Sequence, residues 1–465
     1  MMFGGDLMRV IISGAGQVGY GIAEKLSLEG IEVTVIDKNA DLVQRVRDTL
    51  DARGVHGHGS HPDVLAQAGA QDADMLIAVT QVDEVNMTAC QVAHSIFNVP
   101  TRIARIRAQS YLSPQWQNLF ARNHLPIDVI ISPEMEVGDL ILQRLAYPGA
   151  SEIVAFEDEN VMVIVVDVKE DCAVIDTPLR QLTELFQNLQ ATVMGVKRDG
   201  EIHAVSSHDS LSVGDQAVVA VSKSQIFRVL GLFGCDDQPP TKIVIGGAGN
   251  VGRYVARKLE ESDDSISVRL IENNRQIAQI AAETLDKSIV IFGDALQEDI
   301  LQEVDVRDAQ MYLGLTNDDE TNILSSVLAS ELGCKANFAL VNQPQYPRFA
   351  KRLGVDNFIN PRSITVSKIL RHIRRGRIRG VYSLFEGRAE LIEAEALETS
   401  PLVGKPLREF DVGEGIRIGA IIRGDKVIMP AGDVRIEAGD LVVVFALTQQ
   451  VRKVEQMFRV SLDFF

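Results

Sequence analysis

The sequence predicts an α/β protein with two doubly wound, Rossmann-like nucleotide-binding domains, each followed by a small β-rich α+β domain. Three observations carry this prediction. A glycine-rich turn follows an apolar run at two places, residues 14–19 and 247–252. Strand-like and helix-like stretches alternate after each turn, which is typical of a parallel sheet built from βαβ units. Short alternating strands with glycine turns then follow each of these regions.

Composition sets limits on function. The 465-residue chain has a formal net charge of −18. This charge argues against a general nucleic-acid binder, because a phosphate backbone requires a basic surface. No apolar run reaches transmembrane length, so we expect no direct membrane insertion. The four cysteines lack metal-like or redox-like spacing, which favours reduced cytoplasmic thiols; they are Cys90, Cys172, Cys235 and Cys334.

The first nucleotide-binding domain begins with an apolar strand that ends at Gly14. A second strand ends at Asp37, and apolar residues at helical spacing follow it. Because the carboxyl ends of parallel strands meet at one edge of a sheet, we expect the glycine turn, Asp37 and Thr80 to converge there. The remaining predicted elements are a glycine-rich loop at 54–59, a strand at 74–80, an acidic turn at 83–86 and a strand at 102–106.

The second nucleotide-binding domain repeats this order. Its second strand ends at Glu272, in the place of Asp37. The later elements are a strand and glycine-containing loop at 289–295, a strand at 310–316, an acidic turn at 319–322 and a strand at 337–341.

The β-rich regions also match each other. Arg198-Asp199-Gly200 in the first corresponds to Arg423-Gly424-Asp425 in the second, and such turns fit tight hairpins. Residues 234–240 have the composition of a linker. We therefore predict nucleotide-binding domains at 8–147 and 240–363, and β-rich domains at 148–233 and 380–465.

Each glycine turn with its acidic partner predicts a dinucleotide site. The glycines permit a tight turn and close approach of a pyrophosphate to a helix N-terminus. Asp37 is expected to accept hydrogen bonds from ribose hydroxyls and to repel a 2′-phosphate, which favours NAD(H) over NADP(H). The alternatives are an ordinary strand-to-helix turn and a helix-capping role for Asp37.

The two sites are not expected to be equal. Thr80 and Gln81 fall where a strand ends beside the expected nucleotide, with a plain turn as the alternative. Arg105 could pair with a phosphate or lie in an ion pair at the surface or a ring interface, and the matching residue in the second domain is Leu340. The first site is therefore better suited to charged phosphates. The candidate cofactor-binding residues are Gly14, Ala15, Gly16, Gln17, Val18, Asp37, Thr80, Gln81 and Arg105, with Gly247, Ala248, Gly249, Asn250, Val251 and Glu272.

On these residues the chain resembles the TrkA family of Trk-system potassium uptake proteins, which are tandem RCK (also called KTN) regulatory subunits. The resemblance covers essentially the whole chain. The stretches that carry it include residues 14–19, 57–62, 72–75 and 102–107 in the first half, with 292–295, 316–320 and 418–424 in the second.

The resemblance implies a non-enzymatic regulatory subunit that binds NAD(H) and, in some members, ATP or ADP. It implies a ring of RCK units, most naturally a homotetramer of this double-unit chain. The ring would lie on the cytoplasmic face of the cell membrane and gate a membrane-embedded Trk-type potassium transporter. Nucleotide can shift such a ring only if it binds one ring shape better than the other.

Two further features have local explanations. His56, His58 and His61 share a glycine-rich loop without a clear set of carboxylate or cysteine partners, so we expect no metal site. The basic run at residues 371–379 is first interpreted as a solvated or ring-facing helix end. Contact with acidic lipid or with the transporter is the alternative.

The sequence leaves two alternative functions to compare with this one. An NAD-dependent dehydrogenase requires a substrate domain and a proton donor beside the nicotinamide. Neither β-rich domain has a suitable arrangement of His, Lys or Tyr, so no catalytic residue is predicted. A nucleotide-sensing regulator of another ion or anion transporter is the second alternative.

Overall fold

The structure is a computed structural model that describes residues 8–28, 30–121, 123–156, 160–181, 186, 188–343, 345–355, 357–373 and 378–458. It divides into two compact units. The parallel unit comprises residues 1–139 and 242–372, and the antiparallel unit comprises residues 140–241 and 373–465. The basic run at 371–379 falls partly on residues 374–377, which lie outside the described residues.

The first domain of the parallel unit is a parallel sheet flanked by helices. Its strands are β1 (Arg9–Ser13), β2 (Glu32–Asp37), β3 (Arg53–His56), β4 (Met75–Ala78), β5 (Thr101–Arg105) and β6 (Val129–Ile131). Its helices are α1 (Gln17–Leu28), α2 (Ala40–Thr49), α3 (Pro62–Gln67), α4 (Asp83–Ser95), α5 (Gln109–Leu112) and α6 (Pro133–Ala146). The strand order β3-β2-β1-β4-β5-β6 is that of a doubly wound dinucleotide fold.

The second domain of the parallel unit has the same topology. Its strands are β12 (Lys242–Gly246), β13 (Ser267–Glu272), β14 (Ile289–Phe292), β15 (Met311–Gly314), β16 (Asn337–Leu340) and β17 (Phe358–Ile359), in the order β14-β13-β12-β15-β16-β17. Its helices are α8 (Asn250–Ser262), α9 (Arg275–Thr284), α10 (Glu298–Glu303), α11 (Asp319–Glu331), α12 (Tyr346–Arg352) and α13 (Pro361–Ile373).

The antiparallel unit contains two five-stranded sheets. The first consists of β7 (Ala150–Ala155), β8 (Val161–Asp167), β9 (Ala191–Arg198), β10 (Glu201–Ala204) and β11 (Gln216–Ser222), followed by α7 (Ile226–Leu232). The second consists of β18 (Ile378–Leu384), β19 (Ala389–Glu395), β20 (Ile416–Arg423), β21 (Lys426–Ile428) and β22 (Leu441–Leu447), followed by α14 (Val451–Met457). Residues of both sheets pack in one apolar core, in which Phe445 lies against Gly195.

The local sequence explains these elements. Val10, Ile11 and Ile12 of β1 are all buried because helices cover both faces of a parallel sheet. The predicted acidic turns are instead the first residues of α4 and α11, where Asp83 and Asp319 are favoured by the helix dipole. The architecture confirms the predicted fold class. Among the described residues, no helix combines the length and the apolar character that a membrane span requires.

Candidate nucleotide-binding sites

The glycine turns join three strand ends in each domain. Gly14 has φ +113° and Gly247 has φ +107°, a left-handed conformation that favours glycine. The Gly14 amide donates to the carbonyl of Ile36 at 2.7 Å, at the end of β2. A methyl group on Gly14 would lie 3.0 Å from the Thr80 amide nitrogen, just beyond β4. Each turn therefore fits only a residue without a side chain.

The middle glycine of each turn faces open space. Apart from the adjoining residues of the turn, no atom of the described residues lies within 4 Å of the position that a methyl group on Gly16 or Gly249 would occupy. In the first domain the first helical hydrogen bond runs from Tyr20 to the Gly16 carbonyl, at 2.9 Å. The preceding amides of the turn of α1 therefore have no helical partner. Open space beside helix-start amides that lack an intrahelical partner is what a bound pyrophosphate requires.

The two acidic candidates hold the glycine turns. Asp37 accepts hydrogen bonds from the Ala15 amide at 2.6 Å and from the Asn39 amide at 2.8 Å. In the second domain Glu272 accepts from the Ala248 amide at 2.8 Å and from the Asn274 amide at 2.9 Å. The helix cap of α2 is Asn39 rather than Asp37. This turn-holding contact is not predictable from the sequence pattern, and it leaves each carboxylate further lone pairs for ribose hydroxyls.

The exposure of these residues differs between the sites. Glu272 is 8% exposed, whereas Asp37 is half-buried and more open to a ligand. Gln17 is exposed, while Asn250, Val18 and Val251 are half-buried.

Thr80 belongs to a hydrogen-bond network centred on Asn86. The Thr80 hydroxyl donates to Asn86 Oδ1 at 2.7 Å, and the Thr80 amide donates to the same oxygen at 2.9 Å. Asn86 Nδ2 then donates to the Thr80 carbonyl at 3.1 Å and to the Arg105 carbonyl at 2.8 Å. Thr80 thus fixes the strand ends, while neighbouring Gln81 is exposed.

The structure places Arg105 and Leu340 at equivalent positions. Asn322 Nδ2 donates to the Leu340 carbonyl at 3.0 Å, as Asn86 does to Arg105. Arg105 is half-buried, and its Nε is buried without a hydrogen-bond partner among the described residues. Burial lowers the pKa of the Arg105 guanidinium, and the nearby carboxylate of Glu134 opposes that shift. Leu340 is a buried apolar residue.

The surroundings of Arg105 contain unpaired acceptors. Within the described part of the chain, Asp83 Oδ1 and Glu134 Oε2 are buried without hydrogen-bond partners. In the second domain both oxygens of Asp319 accept from the Asn342 amide at 2.9 Å, and one also accepts from Gln343 at 2.8 Å. The first site therefore has buried acceptor oxygens without partners near its arginine, whereas both oxygens of the equivalent Asp319 are hydrogen-bonded.

Two residues of the second site escaped the sequence analysis. Arg253, in the first turn of α8, donates from Nη2 to Asn250 Oδ1 at 3.0 Å, beside the glycine turn. Phe292 pairs with Glu272 in the sheet and is 57% exposed, so its ring could stack on a base. Extending the comparison of the two glycine turns by one residue, to Tyr20 and Arg253, would have revealed the arginine.

The histidines and cysteines have ordinary surroundings. The rings of His58 and His61 stack with their centroids 4.6 Å apart. No group of three or more His, Cys, Asp or Glu side chains is arranged to hold a metal ion within the described ranges. All four cysteines are free and buried.

Comparison with known protein families identifies the repeated domain. Residues 10–133 and 243–361 match the TrkA-N domain family, and residues 391–459 match the TrkA-C domain family.

Curated relatives match the chain over nearly its full length. It is 53% identical over 458 residues to the Trk system potassium uptake protein TrkA of Azorhizobium caulinodans, with 98% of this chain and 100% of that protein covered. It is 38% identical over 458 residues to the protein of the same name from Vibrio alginolyticus, with 98% and 99% covered.

Solved structures share the fold at low sequence identity. The crystal structure of the GsuK RCK domain is similar with a TM-score of 0.61 and 17% identity, over 98% of this chain and 96% of that chain. The GsuK channel bound to NAD is similar with a TM-score of 0.60 and 18% identity, over 98% and 80%.

Proposed function

Because the chain belongs to the TrkA family of Trk-system potassium uptake proteins, we propose that it is the nucleotide-binding regulatory subunit of a Trk potassium uptake system. In this proposal it has no catalytic step of its own. It acts from the cytoplasmic face of the cell membrane on a membrane-embedded potassium transporter. The proposed domains are the four segments 8–147, 148–233, 240–363 and 380–465.

The proposed ligand of both glycine turns is NAD(H). The observation that carries this proposal is the open space at Gly16 and Gly249, where each helix begins with amides that have no intrahelical partner. Asp37 and Glu272 supply acceptors for ribose hydroxyls, and their charge disfavours a 2′-phosphate. A structural relative, the GsuK channel, has been solved bound to NAD, which is consistent with this choice.

The two sites are proposed to differ in their preference for charged phosphates. Arg105 ends β5 in the first domain and is half-buried, and its guanidinium is proposed to contact the terminal phosphate of ADP or ATP. The second domain has Leu340 there. A cation that the second domain does place beside its glycine turn is Arg253, in the first turn of α8. We therefore assign ADP and ATP to the first site and NAD(H) to both.

Control of transport is proposed to pass through a ring of RCK units, with a homotetramer of this chain as the simplest ring. Nucleotide occupancy must then stabilise one ring shape over another, since a ligand with equal affinity for both shapes shifts nothing.

Calorimetry of the full-length protein tests the ligand assignment. NADH, NAD⁺, ADP and ATP are titrated into wild type, Asp37→Ala and Glu272→Ala. We expect Asp37→Ala to remove ADP and ATP binding and one NADH site, while Glu272→Ala removes only the other NADH site. Asp37→Asn is the matched control because it retains an oxygen acceptor for the Ala15 amide. Loss of all binding in Glu272→Ala but not in Asp37→Ala would contradict the assignment.

Potassium uptake tests the regulatory role. The chain is expected to restore uptake in a strain that lacks its own TrkA and to make transport by the purified membrane subunit depend on nucleotide. Failure of both, with the protein folded and binding NADH, would favour regulation of another transporter.

A further inference from the structure

In the parallel unit, the last helix of each domain packs on the helix that follows the glycine turn of the other domain. Helix α6 leaves the first sheet and contacts α8 at Tyr254. Helix α13 leaves the second sheet and contacts α1 at Gly21. The two domains are therefore joined by two helix crossings that are related by their internal repeat.

The first crossing places a large residue of α8 on a glycine of α6. A methyl group on Gly138 would overlap the aromatic ring of Tyr254. The Tyr254 hydroxyl donates to Asp139 Oδ1 at 2.6 Å. Burial and this hydrogen bond both raise the pKa of Tyr254 above its usual range.

The second crossing has the reverse arrangement of sizes. Here the glycine is Gly21 of α1, and the larger residues belong to α13. A methyl group on Gly21 would lie 3.2 Å from Cγ2 of Val366 and 3.2 Å from Nη2 of Arg362. The space at Gly21 is therefore filled from the opposite helix.

The four residues occupy equivalent positions in pairs. Gly21 and Tyr254 each stand two residues after the last glycine of their turn. Gly138 and Val366 each stand five residues after the proline that begins their helix. The preceding residues in each case, Val137 and Thr365, are equally buried, which supports the alignment of α6 with α13.

We infer that the two nucleotide-binding domains are built as exclusive partners, because their crossings at Gly138–Tyr254 and Gly21–Val366 admit the first domain against the second and reject either domain against its own copy. A pair of first domains would set Gly138 against Gly21 and leave a void at each crossing. A pair of second domains would force Val366 against Tyr254. Both outcomes are unfavourable, since cores tolerate neither voids nor excess volume.

An ion pair between the two crossing helices adds to this selectivity. Lys368 of α13 lies 3.1 Å from the carboxylate of Glu136 of α6, and both side chains are half-buried. The equivalent positions carry Ile364 and Leu140. Pairing of like domains would therefore give each charged residue an uncharged partner. In an assembly of several chains, every pair across these crossings would contain one site with Arg105 and one with Leu340.

Disulfide trapping in the full-length chain tests this inference. Two double variants report unlike pairing: Gly138→Cys with Tyr254→Cys, and Gly21→Cys with Val366→Cys. Two others report like pairing between two chains: Gly21→Cys with Gly138→Cys, and Tyr254→Cys with Val366→Cys. We expect oxidation to link the first two variants at those positions, as found by peptide mass mapping. The like-pair variants should give no linked chains, as should oxidised wild type, whose cysteines are buried. Like-pair links in a yield comparable to the unlike links would overturn the inference.

Exchanging the sizes of the two residues at one crossing tests selection by shape without a covalent link between the helices. Gly138→Val and Tyr254→Gly should each lower the thermal midpoint by several degrees. The double variant reproduces the Val–Gly arrangement of the other crossing and should recover most of the loss. If the double variant is no more stable than the worse single variant, the crossings do not select by shape.

Discussion

The two nucleotide-binding domains share their backbone framework and differ in the side chains at their proposed ligand sites. The threonine amide lies 2.9 Å from Asn86 Oδ1 in the first domain and 2.8 Å from Asn322 Oδ1 in the second. Beyond this shared network, one domain ends β5 with Arg105 and the other ends β16 with Leu340. Duplication has thus retained the groups that fix strand ends, while side chains at the proposed nucleotide sites have diverged.

The residues that pack beneath the glycine turns differ between the two domains, and they differ as contacting pairs. In the first domain Ser13 is buried against Gly59, where a methyl group would overlap the serine hydroxyl. The equivalent of Ser13 is Gly246, and the space that it leaves is filled by the hydroxyl of Tyr312. In either domain, substituting one residue of the contacting pair therefore requires a compensating substitution of the other.

The shared network gives the largest predicted effect. Asn86→Ala and Asn322→Ala should each destabilise their domain by about 3 kcal/mol, because each removes four hydrogen bonds at a fully buried site. Denaturant unfolding followed by circular dichroism measures the loss. Asn86→Asp is the matched control, since it keeps the acceptor and loses the two donated bonds. A loss in only one domain would show that the frameworks are not equivalent.

The coupled packing gives the next effect. Gly246→Ser places the side chain of Ser13 under the second glycine turn, where it meets the Tyr312 hydroxyl, at a cost of about 1–3 kcal/mol. Adding Tyr312→Leu gives the second domain the leucine that the first domain has at the corresponding position, Leu76. The double variant should recover most of the lost stability. The same unfolding measurement compares the single and double variants. Equal stability of the two would mean that the sites pack independently.

The difference in charge predicts a change in ligand affinity. Arg105→Leu should weaken ADP binding at the first site about tenfold, equivalent to about 1.4 kcal/mol, because it removes a cation near the phosphates. Calorimetry with ADP measures the change, and Arg105→Lys should lose less. NADH binding at the second site should stay the same. An unchanged ADP affinity in Arg105→Leu would assign Arg105 to structure alone.

The sequence predicted the parts of this comparison that depend on local pattern. Buried strands, glycine turns and the acidic residues that end β2 and β13 follow from spacing, and the structure has them. The contact of Asp37 with the Ala15 amide was not predicted, because it depends on how the turn folds back over β2. The contacts of Gly246 with Tyr312 and of Gly138 with Tyr254 were also not predicted from the sequence. Residues far apart in sequence carry no signal that they meet unless the register of the sheet and the helix crossings are known.

Arg253 provides the smallest and most discriminating effect. It lies half-buried at the start of α8, hydrogen-bonded to Asn250, and the first domain has Tyr20 in its place. A cation at a helix N-terminus opposes the helix dipole, so it is favourable there only if an anion binds close by. Arg253→Gln should therefore weaken NADH binding at the second site about twofold to fivefold, corresponding to the roughly 0.3–1 kcal/mol of such partly screened interactions. The effect should shrink as salt is added, and the first site should be unaffected. If Arg253→Gln instead strengthens binding, the arginine opposes ligand entry, and the second site would have no cation in place of Arg105.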